Sequence, residues 1–139
     1  MKVVLDTNVW LSALFWEGEA NKIVELIEKK KINVIISEKI LNEIADVLKK
    51  EAKFHKFIDD KNENIKDVIR TILYLSDLID SKTEINTVKE DPSDDKIIET
   101  AIDGKASYIV SYNNHLLKLK EFGKIKIIHP KEFLKRFRK

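Results

Sequence analysis

Short runs of β-branched residues alternate along this chain with longer segments whose apolar residues recur every three or four positions. Lys2–Leu5 (KVVL) and residues 32–36 (INVII) read as buried strands. Residues 8–14 and 19–30 carry helical spacing, with Ile23, Val24 and Ile27 on one face. Ser37 is placed to cap a helix on which Ile40, Leu41, Ile44, Ala45 and Leu48 return at a period of 3.6. Residues 63–79 repeat that pattern through Ile65, Val68, Ile69, Ile72, Leu73 and Leu75. Residues 84–88 form a weaker strand signal, and Pro92 interrupts regular structure. Ser93 or Asp94 then starts a helix carrying Ile97, Ile98, Ala101 and Ile102, which Gly104 ends. Residues 107–111 (SYIVS) read as a strand, 115–122 as a short helix, Gly123 as a break and 124–128 (KIKII) as the last strand. Pro130 opens a terminal helix at its first position. This alternation predicts an α/β fold, with a mostly parallel sheet and helices on both faces. In such sheets, sites lie outside the carboxyl ends of the strands.

A length of 139 residues suits one domain spanning 1–139, and 43% hydrophobic residues can supply its core. With no cysteine, a disulfide scaffold, a thiolate zinc site and a cysteine nucleophile are all excluded. The charged residues are mostly Lys and Glu, a bias that points to a thermophilic source. Asp6 interrupts the apolar N-terminus, and the longest uncharged run, residues 7–16, is far short of the ~20 residues a spanning helix needs. A cytoplasmic protein is expected. Charge is unevenly spread. Residues 118–139 hold nine Lys or Arg against two Glu, in a chain whose total is only +2. Such a basic end can grip a phosphate backbone, or simply solvate a terminus.

Several acids follow strands or open helices. Asp6 comes directly after strand one, Glu43 lies beside the apolar face of its helix, and Asp94 opens the helix before SYIVS. Each has a plainer role on its own. Asp6 or Thr7 can cap a helix, Glu43 can pair with Lys39 or Lys50, and Asp94 or Asp95 can cap or complement a helix dipole. Taken together they are three carboxylates from three elements meeting at one sheet edge. Such a set, with no Cys or His partner, suits Mg²⁺ or Mn²⁺. That ion chemistry fits phosphodiester hydrolysis.

In order, the segments KVVLDTNVWLSALF, VIISEKILNEIADVL, DPSDDKIIETAIDGKASYIVS and IKIIHPKEFL resemble the PIN-domain ribonuclease family. They are most similar to its prokaryotic VapC-like members, toxins of toxin–antitoxin pairs. The resemblance covers nearly the whole chain. It implies a three-layer α/β/α sandwich, a metal-dependent endoribonuclease, a homodimer and a small antitoxin partner. Matched residue by residue, the family's acids fall on Asp6, Glu43 and Asp94 as metal ligands, with Asn8, Ser37 and Ser111 as supporting polar residues. Asp91 and Asp95 would stand behind the ligands or on the surface. The family usually reads Ser/Thr-x-Asp-x-Asp after the fourth strand, whereas this chain has Ser111-Tyr112-Asn113-Asn114-His115. Asn113 therefore stands where a fourth catalytic acid is expected, and offers a neutral oxygen in its place.

That departure motivates a second reading, a PIN module that binds RNA or a protein partner without cutting. His115 reads as a ligand better suited to Mn²⁺ than Mg²⁺, or as a surface residue at a helix start. His55 and His129 read as surface or packing residues, and Trp10 as core. A response-regulator phosphotransfer domain lacks its acidic pair and late Lys, and an Asp-x-Asp phosphatase is excluded by Asn8.

Overall fold

A computed structural model describes residues 1–57, 61–85 and 94–137. Strand β1 (Lys2–Leu5) leads into helices α1 (Thr7–Phe15) and α2 (Glu19–Glu28). Strand β2 (Asn33–Ser37) leads into α3 (Glu38–Lys50), a 3₁₀ turn (Ala52–Phe57) and α4 (Lys61–Leu75). Then come β3 (Ser76–Ile79), α5 (Asp95–Asp103), β4 (Tyr108–Val110) and α6 (Asn114–Leu117). The chain ends with β5 (Glu121–Phe122), β6 (Ile125–Ile128) and α7 (Pro130–Lys135).

The strands form one sheet in the order β3-β2-β1-β4-β6-β5, parallel throughout except for the β5–β6 pair. Val3, Val4 and Leu5 are consecutive and all buried, so β1 has helices over both of its faces. This is the expected α/β sandwich with a mostly parallel sheet. The chain runs from β1 outward to β2 and β3, then returns to lay β4 on the other side of β1. The switch point of the sheet therefore falls between β1 and β4, the place where open α/β sheets form their sites.

The helices bury the faces their spacing marked. Ile40, Ile44 and Leu48 of α3 are fully buried, as are Ile97, Ile98 and Ala101 of α5. Trp10 is in the core. Gly104 ends α5 as expected, but for reasons of space, since its φ of −83° is open to any residue. A Cβ there would lie 2.6 Å from Ile35 Cγ2. Gly123, with φ +60°, makes the turn between β5 and β6.

Two elements differ from the sequence reading. The helix expected over 63–79 ends at Leu75, and Ser76–Ile79 is a strand paired in register with β2. Leu78 and Ile79 continue the helical spacing, so periodicity gave no boundary; the pairing of Ser76–Ile79 with β2 sets it. The helix expected over 115–122 stops at Leu117, and Glu121–Phe122 pair antiparallel with β6. Residues 84 and 85 are irregular, while the rest of the expected strand over 84–88, together with Asp91, Pro92 and Ser93, lies outside the described residues. His129, read as surface or packing, caps α7 by accepting from Lys131 N–H at 3.1 Å. Among the described residues no helix is long and apolar enough to cross a membrane.

Candidate active site

Asp6 stands at the switch point because β1 ends on it and α1 begins after it. Its N–H still pairs with the Val110 carbonyl at 3.0 Å, extending the β1–β4 ladder by one bond. Its Oδ1 caps α1 by accepting from Thr7 N–H at 2.7 Å. The capping role and a site role can therefore coexist, because the second oxygen reaches across to the residue that follows β4. Asp6 Oδ2 accepts the hydroxyl of Ser111 at 2.7 Å, and Asp6 is only 6% exposed.

Ser111, fully buried just beyond β4, continues the chain of contacts. Its Oγ accepts from Asn113 N–H at 2.9 Å. Asn113 caps α6 through Oδ1, which takes His115 N–H at 2.8 Å, and its Nδ2 donates to Asp94 Oδ2 at 3.0 Å. Asp94 precedes α5 in helical conformation, makes no side-chain cap bond and is 5% exposed. Two nearly buried carboxylates, 88 positions apart in the sequence, are thus joined through Ser111 and Asn113. An amide rather than a carboxylate at 113 lets this link form, because a carboxylate could not donate to Asp94.

Glu43 is held differently. Its Oε2 accepts the hydroxyl of Thr7, the neighbour of Asp6, at 2.5 Å, and its Oε1 lies 3.7 Å from Lys96 Nζ. Two parallel links tie α3 to α5. Ser37 Oγ and Thr100 Oγ1 are 2.7 Å apart, and Lys39 Nζ lies 3.5 Å from Glu99 Oε1. Ser37 therefore fastens the start of α3 to α5. Asn8 is exposed and lines a groove of about 170 Å³ with Ser12, Trp16, Lys53 and Phe54. Asp95 is buried. His115 is half-buried, and its Nδ1 is enclosed without a hydrogen-bond partner among the described residues. Between Ser111 and Asn113, burial and then the Glu19 carboxylate push the Tyr112 phenol above its ordinary value.

Among the described residues no three Asp, Glu or His side chains stand together as a ready-made metal cage. The donor chemistry at Asp6 and Asp94 is nonetheless all hard oxygen. A cation that takes one or two carboxylates and keeps its remaining places for water and phosphate, as Mg²⁺ does, fits such a pair. Thr7, Lys96, Glu99 and Thr100 were not singled out from the sequence as site residues. Their signal was position alone: Thr7 adjoins Asp6, and Lys96 lies two residues beyond Asp94.

Residues 2–115 match the family model described as PIN domain. The chain belongs to the PIN domain family. PIN domains are in general nucleases that use divalent metal ions. The PIN fold here is similar to that of a chain in the crystal structure of VapBC2 from Rickettsia felis bound to a DNA fragment from its promoter. The TM-score is 0.61 at 18% identity, over 91% of this chain and 97% of that one. No curated protein matches this PIN chain by sequence.

Proposed function

We propose that residues 1–139 act as one metal-dependent endoribonuclease domain, the toxin of a toxin–antitoxin pair. The observation that carries this reading is the continuous link Asp6–Ser111–Asn113–Asp94 at the switch point of a PIN-family sheet. Asp6 and Asp94 would hold Mg²⁺ or Mn²⁺, while Glu43, expected as a third ligand, would act through its contacts with Thr7 and Lys96. The bound ion would offset charge on the scissile phosphate and ease loss of a proton from water. Ser111 and Asn113 fix the two carboxylates in orientation, which a metal site needs from its outer hydrogen bonds. The reaction adds water across one P–O ester bond. A new O–P bond forms, the ester oxygen leaves and takes a proton from solvent, and the proton lost by water passes to a carboxylate or to solvent.

Asn113 lowers the negative charge of the site by one relative to an acid at that place, which favours one ion over two. Lys118, Lys120 and the basic C-terminal end supply charge for the RNA backbone. A small antitoxin covering the acids, a homodimer and a cytoplasmic setting complete the proposal. The gene beside this one is the place to find the antitoxin. Asn113 also favours a second reading, a PIN module that binds RNA without cutting, which would show no saturable Mn²⁺ binding.

The test is cleavage of end-labelled RNA by purified protein in Mn²⁺, Mg²⁺ or EDTA, beside Asp94→Ala. Cutting that needs metal and disappears in the variant is the expected result. Cutting that survives the substitution would mark a contaminating nuclease, and RNA binding without cutting in any metal would select the second reading.

A further inference from the structure

The α3–α5 interface carries two lysine–carboxylate pairs that differ in their surroundings. Lys39 meets Glu99 with half of its side chain exposed. Lys96 is the more enclosed, at 24% exposure, and its partner Glu43 is 26% exposed. Glu43 also holds Thr7, next to Asp6, and Lys96 lies two residues beyond Asp94. The ammonium of Lys96 is therefore held at Glu43, whose other oxygen bonds the residue that follows Asp6. One of the three candidate acids already faces a fixed cation, and the fourth acidic place is an amide.

On this basis, and resting on the nuclease reading above, we propose that Lys96 supplies the second positive charge of the site. A single divalent ion sits at Asp6 and Asp94, and the Lys96 ammonium hydrogen-bonds a non-bridging oxygen of the scissile phosphate when RNA enters. Glu43 is then a positioning residue that keeps Lys96 at the mouth of the site. Lys96 exchanges no proton or covalent bond with the substrate; its contribution is charge placed where negative charge grows in the transition state.

The two roles of a nearby cation pull in opposite directions, which gives a signature. An ammonium beside a metal site weakens metal binding by repulsion, yet speeds chemistry on a phosphate. In Lys96→Gln, Mn²⁺ measured by calorimetry should bind roughly fivefold to tenfold tighter. Cleavage at saturating Mn²⁺ should fall by about 100-fold in kcat. Lys96→Arg, which keeps the charge, should restore most of the rate. Lys39→Gln should change neither quantity, because its pair only fastens helices. Wild-type protein should bind one Mn²⁺ per chain. If it binds two, or if Lys96→Gln binds and cuts like wild type, Lys96 is no more than a helix tie and the inference fails while the nuclease reading stands. Looser Mn²⁺ binding in Lys96→Gln, together with a lowered Tm, would also overturn it in favour of a structural pair. Wild-type protein that neither binds Mn²⁺ nor cuts RNA would overturn the nuclease reading itself, and this inference with it.

Discussion

Replacing Ser111 by Ala removes one hydroxyl from the middle of the link between Asp6 and Asp94. That hydroxyl donates to Asp6 Oδ2 at 2.7 Å and accepts from Asn113 N–H at 2.9 Å, and the residue is fully buried. A hydrogen bond to a charged group contributes about 1.5–3 kcal/mol and a neutral one about 1 kcal/mol. Asn113 is only half-buried, so its N–H recovers part of the loss from water. The net cost is about 2–3 kcal/mol of stability, with the Cβ retained and almost no cavity left. At about 2.1 cal/mol/K of unfolding entropy per residue, 139 residues give a Tm shift of about 3.5 °C per kcal/mol. Thermal unfolding followed by calorimetry should therefore show a drop of about 7–10 °C. Metal affinity or cleavage should fall by about 10–100-fold, the effect of removing a group that orients a metal-binding carboxylate. A Tm within 2 °C of wild type, together with unchanged cleavage, would refute both the count of bonds and the role assigned to Ser111.

Three further outcomes follow from individual contacts. Gly104→Ala should lower Tm by about 3–10 °C, because its new Cβ would meet Ile35 Cγ2 at 2.6 Å in the packed interior; a raised Tm would show that the interface yields. Asp103 has its pKa lowered to about 2, chiefly by the Thr83 hydroxyl and then the Thr83 N–H, with Ser81 and Lys82 adding and burial opposing. Its stabilisation is therefore complete above the ordinary value of 3.8 and disappears as pH falls toward 2. Solvent screening reduces it to about 1 kcal/mol, so the Tm gap between wild type and Asp103→Asn should be about 3–4 °C at pH 6 and close by pH 2; a gap that persists at pH 2 would contradict the assignment. Mn²⁺ at about ten times its Kd should raise Tm by roughly 5 °C, EDTA should reverse the rise, and Asp94→Asn should show none; an equal rise in the variant would move the ion away from Asp94.

The centre of the fold was legible because β1, β2 and β4 are buried on both faces and read as unbroken apolar runs. The helices α3 and α5 were legible because one stripe of each is fully buried. Strand β3 was hidden for the opposite reason. It is an edge strand with Asp77 and Leu78 exposed, and its residues continue the helical spacing of α4 without Gly or Pro between. The two-residue strand β5 is made by pairing with β6, a contact that local pattern does not encode. In the site, Asp6, Glu43, Asp94 and Asn113 could be named from residue type and order, but not how they connect. The bonds joining them span 105 positions for Ser111 to Asp6 and 19 for Asn113 to Asp94, distances over which only the folded sheet decides proximity. Lys96 left no mark, because a Lys beside acids in a highly charged chain looks like solvated surface until the fold turns it toward Glu43.

The central claim is that Asp6 and Asp94 work as one unit across the switch point of the sheet. The direct measurement is the cleavage rate of end-labelled RNA, at the Mn²⁺ concentration that saturates wild type, for Asp6→Asn, Asp94→Asn and the double variant. Groups that act as a unit give non-additive losses, so each single variant should lose nearly as much rate as the double. Losses that multiply in the double variant would mean that the two carboxylates act separately, and would contradict the account.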